Sequence, residues 1–322
     1  MGIVAWAERH QVALYLGALA AGAAGGLLAP AAGGALTPAI EPVLGTLLFA
    51  TFLQIPLARL GRAWRDGRFL AALGVANFVV VPLLAGALSR LVADDRGLLL
   101  GVLLVLLTPC VDYVVVFTGA AGGDRARLIA ATPLLMLAQM ALLPAYLALF
   151  AGGEVVVDPA PFARAFLLLI ALPLALAAAV QALARRLPAV RRVPRAGEAA
   201  MVPLMMVTLA VVVASQIGEV GQAAAALARL VPIYAVFALA AAALGALVAR
   251  AFRLDPPASR AVAFSSATRN SLVVLPLALA TSSALAPLAV VTQTLVELVA
   301  LVALVRVLPW AIPGRRVAQS ES

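Results

Sequence analysis

The sequence predicts an all-α polytopic membrane protein of ten transmembrane helices, arranged as two inverted five-helix repeats. The first observation is composition: 65% of the 322 residues are hydrophobic, and the mean hydropathy is +1.10. A soluble chain of this length would bury too little of that apolar surface. Ten long apolar runs and a one-sided distribution of arginine are the other two observations. All three follow if the chain crosses a bilayer repeatedly.

Each predicted span is an apolar run close to the roughly 20 residues that a helix needs to cross the hydrocarbon core. In chain order the ten runs are 11–30, 38–58, 69–89, 97–121, 128–150, 162–184, 199–217, 229–249, 259–281 and 284–308. The first run also resembles a signal peptide, but its length and the spans that follow favour a retained helix. The connecting loops are short, and no soluble domain is predicted.

The arginines orient the predicted bundle. All 23 basic residues are arginines, and 18 of them fall in inner segments if the N-terminus is cytoplasmic. The outer loops hold Arg90, Arg96, Arg164 and Arg229, and Arg269 lies inside a span. Basic residues collect in cytoplasmic loops, so this bias predicts a plasma-membrane protein with both termini in the cytoplasm. Topology thus explains the net charge of +9 better than nucleic-acid binding does.

Ten spans divide into two fives, residues 1–150 and 151–322, and the second half ends in a short cytoplasmic tail. A repeat with an odd number of spans reverses its orientation in the membrane, so two of them form an inverted repeat. The fourth span of each half is interrupted by polar residues, in "LLTPCVDYV" and "FSSATRNSL". Paired interruptions at matching positions indicate the binding site of a transporter.

Pro109 predicts the first interruption. Proline lacks an N–H and clashes with the preceding turn, so the fourth span should break near Thr108. Unpaired backbone groups in lipid each cost several kcal/mol, roughly, so the break should face protein or a water-filled cavity. Cys110 and Asp112 would then stand at the start of the second half-helix.

Three charges are predicted inside the membrane: Asp112, Arg269 and Glu297. A charge at a helix centre costs about 2.5–3.5 kcal/mol on insertion scales, so each of them should have a partner or a function. Two compatible interpretations are open. Arg269 forms a buried ion pair that locks the crossing, or the charges line a transport cavity in which Asp112 carries a proton or binds substrate. The partner of Arg269 is either Asp112 or Glu297.

Neutral polar side chains accompany both breaks. A lone membrane cysteine is usually a small apolar residue, but Cys110 stands beside a proline and an aspartate. Asn270, Thr268 and Ser266 occupy the second break, where serine and threonine often only bond their own helix turn. Elsewhere, the polar kink at Asn77 and Pro82 is interpreted as structural. Gln54 and Gln139 either line the cavity or bond between helices.

The sequence also excludes most enzyme classes. One cysteine rules out an internal disulfide and a multi-cysteine metal site, and one histidine, His10, rules out histidine zinc sites and Ser–His–Asp triads. The "GGD" at Gly122–Asp124 resembles part of an intramembrane aspartyl protease, but no second aspartate is placed to pair with it. We therefore expect no catalysis, cofactor or bound metal.

Several motifs follow one another in order over most of the chain: "FLQIPLARL", "NFVVVPLL", "PCVDYVVVF" with "GGD", "VPLMMVTLAVVVASQ", "SSATRNS" and "LVELVALVALVRV". In these motifs and their order the sequence resembles the arsenical-resistance (arsenite efflux) permeases of the bile acid/sodium symporter superfamily. The resemblance implies ten helices and an inverted repeat, with broken helices 4 and 9 crossing at the substrate site.

The resemblance also implies roles for individual residues. Cys110 falls where these permeases carry a cysteine that transport requires, and a soft thiolate suits a thiophilic metalloid. Glu297 matches their glutamate in helix 10. The sodium-coupled branch carries an acid and a glutamine where this chain has Ser265 and Arg269, so the resemblance favours protons over Na⁺ as the coupling ion.

The expected function is proton-coupled efflux of arsenite, which would confer arsenic resistance. Cys110, Thr108, Thr268, Asn270 and Arg269 are the predicted substrate-binding residues. Coupling is assigned to Asp112, Glu297 and Arg269, and the helix break to Pro109. The alternative is an ion-coupled transporter of a small organic anion, with Arg269 and the half-helix N-termini holding a carboxylate.

Overall fold

The computed structural model describes residues 3–29, 35–54, 66–110, 114–152, 164, 167–279, 281, 283 and 285–313. Helices are the regular elements of these residues. The α-helices are α1 (Ile3–Leu28), α2 (Ile40–Gln54), α3 (Gly67–Val75), α4 (Val81–Ser89), α5 (Arg96–Leu106), α6 (Val114–Ala120), α7 (Arg125–Ala151), α8 (Leu172–Arg186), α9 (Arg192–Ala251), α10 (Pro256–Ala267), α11 (Ser271–Leu279) and α12 (Leu285–Ala311). Short 3₁₀ segments lie at Thr37–Ala39, Arg90–Val92 and Pro188–Arg191, and π-helical turns at Ala76–Val80 and Leu167–Ala171.

Five helical stretches of the described chain are long and apolar enough to cross a membrane. They are Gly67–Val92, Leu134–Ala151, Pro188–Ser215, Ala224–Ala251 and Leu285–Ala311. Each overlaps a predicted span, in order the third, fifth, seventh, eighth and tenth. The protein is therefore a polytopic membrane protein. The total of ten spans and the inverted repeat stay predictions.

Two predicted spans are each divided between two shorter helices. The fourth span, 97–121, is divided between α5 and α6, and the ninth, 259–281, between α10 and α11. The described residues between the helices of each pair belong to the candidate functional site.

The predicted kink in the third span is a π-helical turn, Ala76–Val80, followed by Pro82 near the start of α4. Proline cannot donate the hydrogen bond that the carbonyl of Phe78, four residues earlier, would otherwise accept. The Tyr146 hydroxyl from α7 donates to that carbonyl instead. A tertiary contact therefore satisfies the backbone group that the proline leaves unpaired.

The connection predicted between the seventh and eighth spans is wrong in one respect. We expected a loop between 217 and 229, but the described backbone is helical from Arg192 to Ala251. The intervening "GQAAAALARL" is rich in alanine and leucine, which have the highest helix propensities. The backbone stays helical through Gly218 and Gly221, because the residues that follow are strong helix formers.

Aspartates begin four of the helices. In each case the carboxylate accepts a backbone N–H three residues later, which satisfies one of the unpaired donors of a helix N-terminus. The four caps are Asp66 on α3, Asp95 on α5, Asp124 on α7 and Asp255 on α10. The "GGD" stretch is thus part of a helix start: Gly122, with φ +65°, turns the chain before the Asp124 cap.

Three of these capping aspartates gather around one arginine. Arg127 lies 3.4 Å from Asp66, 3.2 Å from Asp124 and 3.2 Å from Asp255. The cluster joins the starts of α3, α7 and α10 at one end of the bundle. All four residues come from segments that the arginine bias assigns to the inner side.

Two other ion pairs also join segments predicted to share a side, here the outer one. Arg229 lies 2.8 Å from Asp94, and Arg164 lies 3.6 Å from Glu41. Arg229 holds the pKa of the Asp94 carboxyl below its usual value, chiefly through their hydrogen bond. Both pairs are exposed, so each adds little to stability.

Small residues allow close helix packing. A Cβ added at Gly22 would lie 2.6 Å from the Ala210 carbonyl oxygen, and one at Gly26 would lie 2.5 Å from that of Ala214. The spacing of these two glycines is the GxxxG pattern, which lets membrane helices approach closely. It packs α1 directly on α9.

Candidate functional site

The first break separates α5 from α6. Helix α5 ends at Leu106, and the Thr108 N–H closes a tight last turn to the Val105 carbonyl at 3.3 Å. The next described helix begins at Val114. Asp112, the predicted proton carrier, lies outside the described residues.

The second break separates α10 from α11. Thr268 adopts an extended conformation, with φ −99° and ψ 130°, directly after α10. The Asn270 side chain then starts α11, because its Oδ1 accepts the N–H of Val273 at 3.2 Å. This is the ordinary N-cap role of asparagine.

The two breaks meet as a short antiparallel pair. The Cys110 N–H donates to the Thr268 carbonyl at 3.1 Å, and the Asn270 N–H donates to the Thr108 carbonyl at 2.8 Å. Pro109 therefore stands directly opposite Arg269, with the hydrogen bonds on either side of that pair. A residue in this position needs no N–H, which is why proline fits there.

The pairing sorts the side chains onto two faces. Side chains alternate along extended chains, and directly opposed residues share a face. Cys110 and Thr268 therefore share a face with Thr108 and Asn270, while Arg269 lies on the other face with the proline. Four of the five predicted substrate-binding residues are thus on one face.

On the first face, the two threonine hydroxyls bond within their own helices. Thr108 donates to the Leu104 carbonyl at 2.8 Å, and Thr268 donates to the Phe264 carbonyl at 2.7 Å. Cys110 is fully buried and not in a disulfide. Asn270 is buried too, and its Nδ2 has no hydrogen-bond partner among the described residues. This amide is a donor that a ligand oxygen can use.

On the second face, the Arg269 guanidinium is fully buried among oxygen atoms. Its Nη2 donates to the Asn77 Oδ1 at 2.9 Å and to the carbonyls of Ser265 and Ser266 at 2.5 and 2.7 Å. Its Nη1 lies 3.4 Å from the Leu106 carbonyl. The four acceptors come from α5, α10 and the π-helical turn, so this side chain ties three elements together.

The face of the Phe237 ring on α9 covers the same guanidinium, with 5.7 Å between its central carbon and the ring centroid. An aromatic face attracts a cation within about 6 Å of its centroid. The ring therefore adds a fourth element to the surroundings of Arg269.

Glu297 reaches the same region from α12. Its Oε2 accepts the backbone N–H of Arg269 at 2.7 Å and an N–H of Gln293. The Gln293 Oε1 in turn accepts from the Ser271 hydroxyl at 3.1 Å. Glutamate and glutamine stand one helical turn apart on one side of α12, and both are buried. The described contact between Glu297 and Arg269 thus runs through the backbone of Arg269.

The structure brings together the predicted residues that it describes: Thr108, Pro109, Cys110, Thr268, Arg269, Asn270 and Glu297. It adds two that the sequence analysis did not place there. Asn77 was interpreted as part of a structural kink, and Gln293 was missed. An amide four residues before a membrane glutamate was the available signal for Gln293, because i and i+4 side chains share a helix face.

Gln54 and Gln139, which were predicted to line the cavity or to bond between helices, lie away from the breaks in sequence. The Gln54 Nε2 donates to the Pro194 carbonyl at 3.3 Å, which supports its interpretation as a bond between helices. Gln139 is 1% exposed, and neither of its side-chain polar atoms has a hydrogen-bond partner among the described residues. Among the described residues, no group of three or more His, Cys, Asp or Glu side chains is arranged to hold a metal ion.

The sequence matches a known family. The family model described as the Sodium Bile acid symporter family matches residues 41–223, which is more than half of the chain. The matched segment includes the first break at Thr108–Cys110 and ends before the second. No curated protein matches the sequence.

Proposed function

The chain belongs to the sodium bile acid symporter family, and from this premise we propose that it exports trivalent arsenic in exchange for protons. Members of this family are membrane transporters of small molecules, coupled to an ion, and not enzymes. The proposal adds the substrate, As(OH)₃ or arsenite, and the coupling ion. Its physiological result would be arsenic resistance.

The antiparallel pairing at Cys110 is the observation that carries the proposal. The only thiol of the chain lies beside Thr268, on the same face as Asn270, whose Nδ2 has no partner among the described residues. A thiol can replace one hydroxyl of As(OH)₃ to give Cys–S–As(OH)₂ and water, and hydrolysis reverses the step. Soft sulfur is the preferred ligand of a thiophilic ion. Asn270 would donate to an arsenic-bound oxygen.

Proton coupling is assigned to Glu297, or to Asp112, which is not among the described residues. Glu297 is 2% exposed and bonded to the backbone of the second break. A carboxylate in contact with the substrate-bearing segment can link a change in its protonation to movement of that segment. Intramembrane acids in transporters are commonly proton carriers for this reason.

We propose the topology that the arginine bias predicts: ten spans, two inverted five-helix repeats at 1–150 and 151–322, and both termini in the cytoplasm. The ion pairs support it, since each joins segments assigned to the same side. In transporters built from inverted repeats, discontinuous helices form the substrate site at the interface between the repeats. The pairing of the two breaks supports that arrangement.

Everted plasma-membrane vesicles test the proposal. Respiration acidifies their interior, so exchange against protons should drive As(III) into them, and a protonophore should abolish the uptake. Cys110→Ala should lose the accumulation, because the proposed ligand is absent. Thr46→Ala is a matched control: it removes one exposed polar group of α2 and should transport normally. Normal transport by Cys110→Ala would overturn the assigned role of the thiol.

A small organic anion is the second candidate substrate. The Asn270 Nδ2, which has no hydrogen-bond partner among the described residues, and the N-terminus of α11 favour it, because both offer N–H donors at the second break. Thermal stabilisation of the purified protein by carboxylates, lost in Asn270→Ala, together with no As(III) uptake, would favour this substrate over arsenite.

A further inference from the structure

Three oxygen atoms crowd one nitrogen of the Arg269 side chain. The Nη2 of a guanidinium carries two hydrogens, yet three oxygens lie within 2.9 Å of this nitrogen. Two are backbone carbonyls of Ser265 and Ser266, and one is the amide oxygen of Asn77. The acceptors are thus concentrated at one nitrogen of a fully buried positive charge.

The second break itself creates two of these acceptors. In an uninterrupted helix the N–H of Arg269 would bond the Ser265 carbonyl, and the N–H of Asn270 would bond the Ser266 carbonyl. Here the Arg269 N–H donates to the Glu297 carboxylate of α12, and the Asn270 N–H donates to the Thr108 carbonyl of the first break. Both carbonyls therefore lose their helical partners at the negative end of the α10 dipole.

The first break creates a third acceptor in the same way. The Leu106 carbonyl would accept the N–H of Cys110, but that N–H pairs across to the second break. The carbonyl lies at the C-terminus of α5, 3.4 Å from the guanidinium. Two negative helix ends thus converge on one buried position.

We propose that the Arg269 guanidinium is a tethered cation that takes the position of a coupling sodium ion and makes transport independent of Na⁺. Carbonyls freed at broken-helix C-termini are the ligands that coordinate Na⁺ in transporters of this kind of architecture. Here a covalently attached charge neutralises them, so none of the three carbonyls remains for an ion. The inference rests on the proposed coupling to protons and gives the structural reason why Na⁺ is not used.

The test compares thermal unfolding of the purified protein in NaCl, KCl and choline chloride at equal ionic strength. The wild type should unfold at the same temperature in all three salts. Arg269→Ala removes the guanidinium from these oxygen atoms. Its unfolding temperature should therefore rise with NaCl concentration to a plateau, and the rise should be specific to Na⁺. Arg269→Lys keeps a tethered cation and should resemble the wild type. Arg164→Ala, which removes an exposed arginine, is the matched control and should show no specificity for Na⁺.

Three results would overturn the inference: a Na⁺-specific stabilisation of the wild type, none in a folded Arg269→Ala, or an Arg269→Ala that fails to fold in NaCl as well as in choline chloride. The assay contains no substrate and measures no transport. A failure of arsenite transport would therefore not contradict the role inferred for Arg269. Binding of Na⁺ by the wild type would contradict that role, but not the proposed transport of As(III).

Discussion

Arg269 contributes to the site through two separate groups. Its backbone N–H lies at a position of the antiparallel pair that makes no bond to the opposite segment, so it can reach the Glu297 carboxylate. Its guanidinium satisfies oxygens of three elements. The residue is therefore both a backbone contact for the acid and a buried charge on the far face of the pair.

Glu297→Gln tests the proton step at the scale of one residue. Glutamine has nearly the same shape and keeps an oxygen that accepts the Arg269 N–H, so the fold should be preserved. It cannot gain or lose a proton in the physiological range. We expect gradient-driven As(III) accumulation in everted vesicles to be abolished, while exchange of As(III) across the membrane without a gradient persists.

Glu198→Gln is the matched control, because this exposed glutamate of α9 lies outside the site and should tolerate the change. Accumulation at the wild-type level in Glu297→Gln would assign the proton to another group. Loss of both exchange and accumulation would indicate a structural role instead.

At the scale of the element, each irregularity within a helix has a local cause in the sequence and a hydrogen-bond partner from another element. Pro82 follows a π-helical turn, and Pro109 occupies the place in the antiparallel pair that needs no N–H. In each case the group that the helix loses is satisfied from elsewhere, as hydrogen bonding in a membrane interior requires. The breaks are therefore stable features of the folded chain.

Tyr146→Phe tests this account at the π-helical turn. The change removes the hydroxyl that donates to the Phe78 carbonyl, a part-buried hydrogen bond of the kind that contributes about 0.5–1.5 kcal/mol. We expect a lower midpoint of thermal unfolding in detergent.

The control is a double-mutant cycle with Pro82→Ala. Alanine restores the N–H that can bond the Phe78 carbonyl within the helix, so Tyr146→Phe should cost less in that background. Equal losses in both backgrounds would show that the hydroxyl does not replace the missing helical donor.

At the scale of the whole molecule, the ion pairs outside the core fall into two groups, one at each end of the bundle. Arg127 and its three aspartates belong to one end by the predicted topology, and the Asp94–Arg229 and Glu41–Arg164 pairs belong to the other. Charges at the ends avoid the cost of insertion in hydrocarbon, so their positions record where the chain leaves the membrane.

Thiol labelling tests the proposed orientation. Because Cys110 is the only cysteine, Cys110→Ser provides a background without thiols in which single cysteines can be placed. Asp94→Cys should react with a membrane-impermeant reagent added to intact cells, and Glu198→Cys should react only after permeabilisation. The opposite pattern would invert the topology, and labelling of both from outside would contradict the assigned number of crossings between them.

Much of the architecture could be predicted from local properties of the sequence. Run length and hydropathy predicted the spans that the structure describes as long apolar helices, and polar residues with a proline predicted interruptions at Thr108–Cys110 and Thr268–Asn270. These signals are local because helix length and proline sterics act within a few residues. The loop between the seventh and eighth spans was predicted wrongly, since the alanine-rich residues after Gly221 continue the helix past glycines that could have ended it.

The tertiary structure alone decided how the two breaks meet. No local pattern states that Pro109 faces Arg269, that Asn77 and Gln293 join the site, or that Glu297 binds a backbone N–H. These facts depend on which backbone N–H group of each break donates to a carbonyl of the other break. The bonded residues lie more than a hundred residues apart in the sequence. The sequence by itself determined a membrane protein with two interrupted helices. Long-range hydrogen bonding determined that the interruptions pair and enclose one buried positive charge.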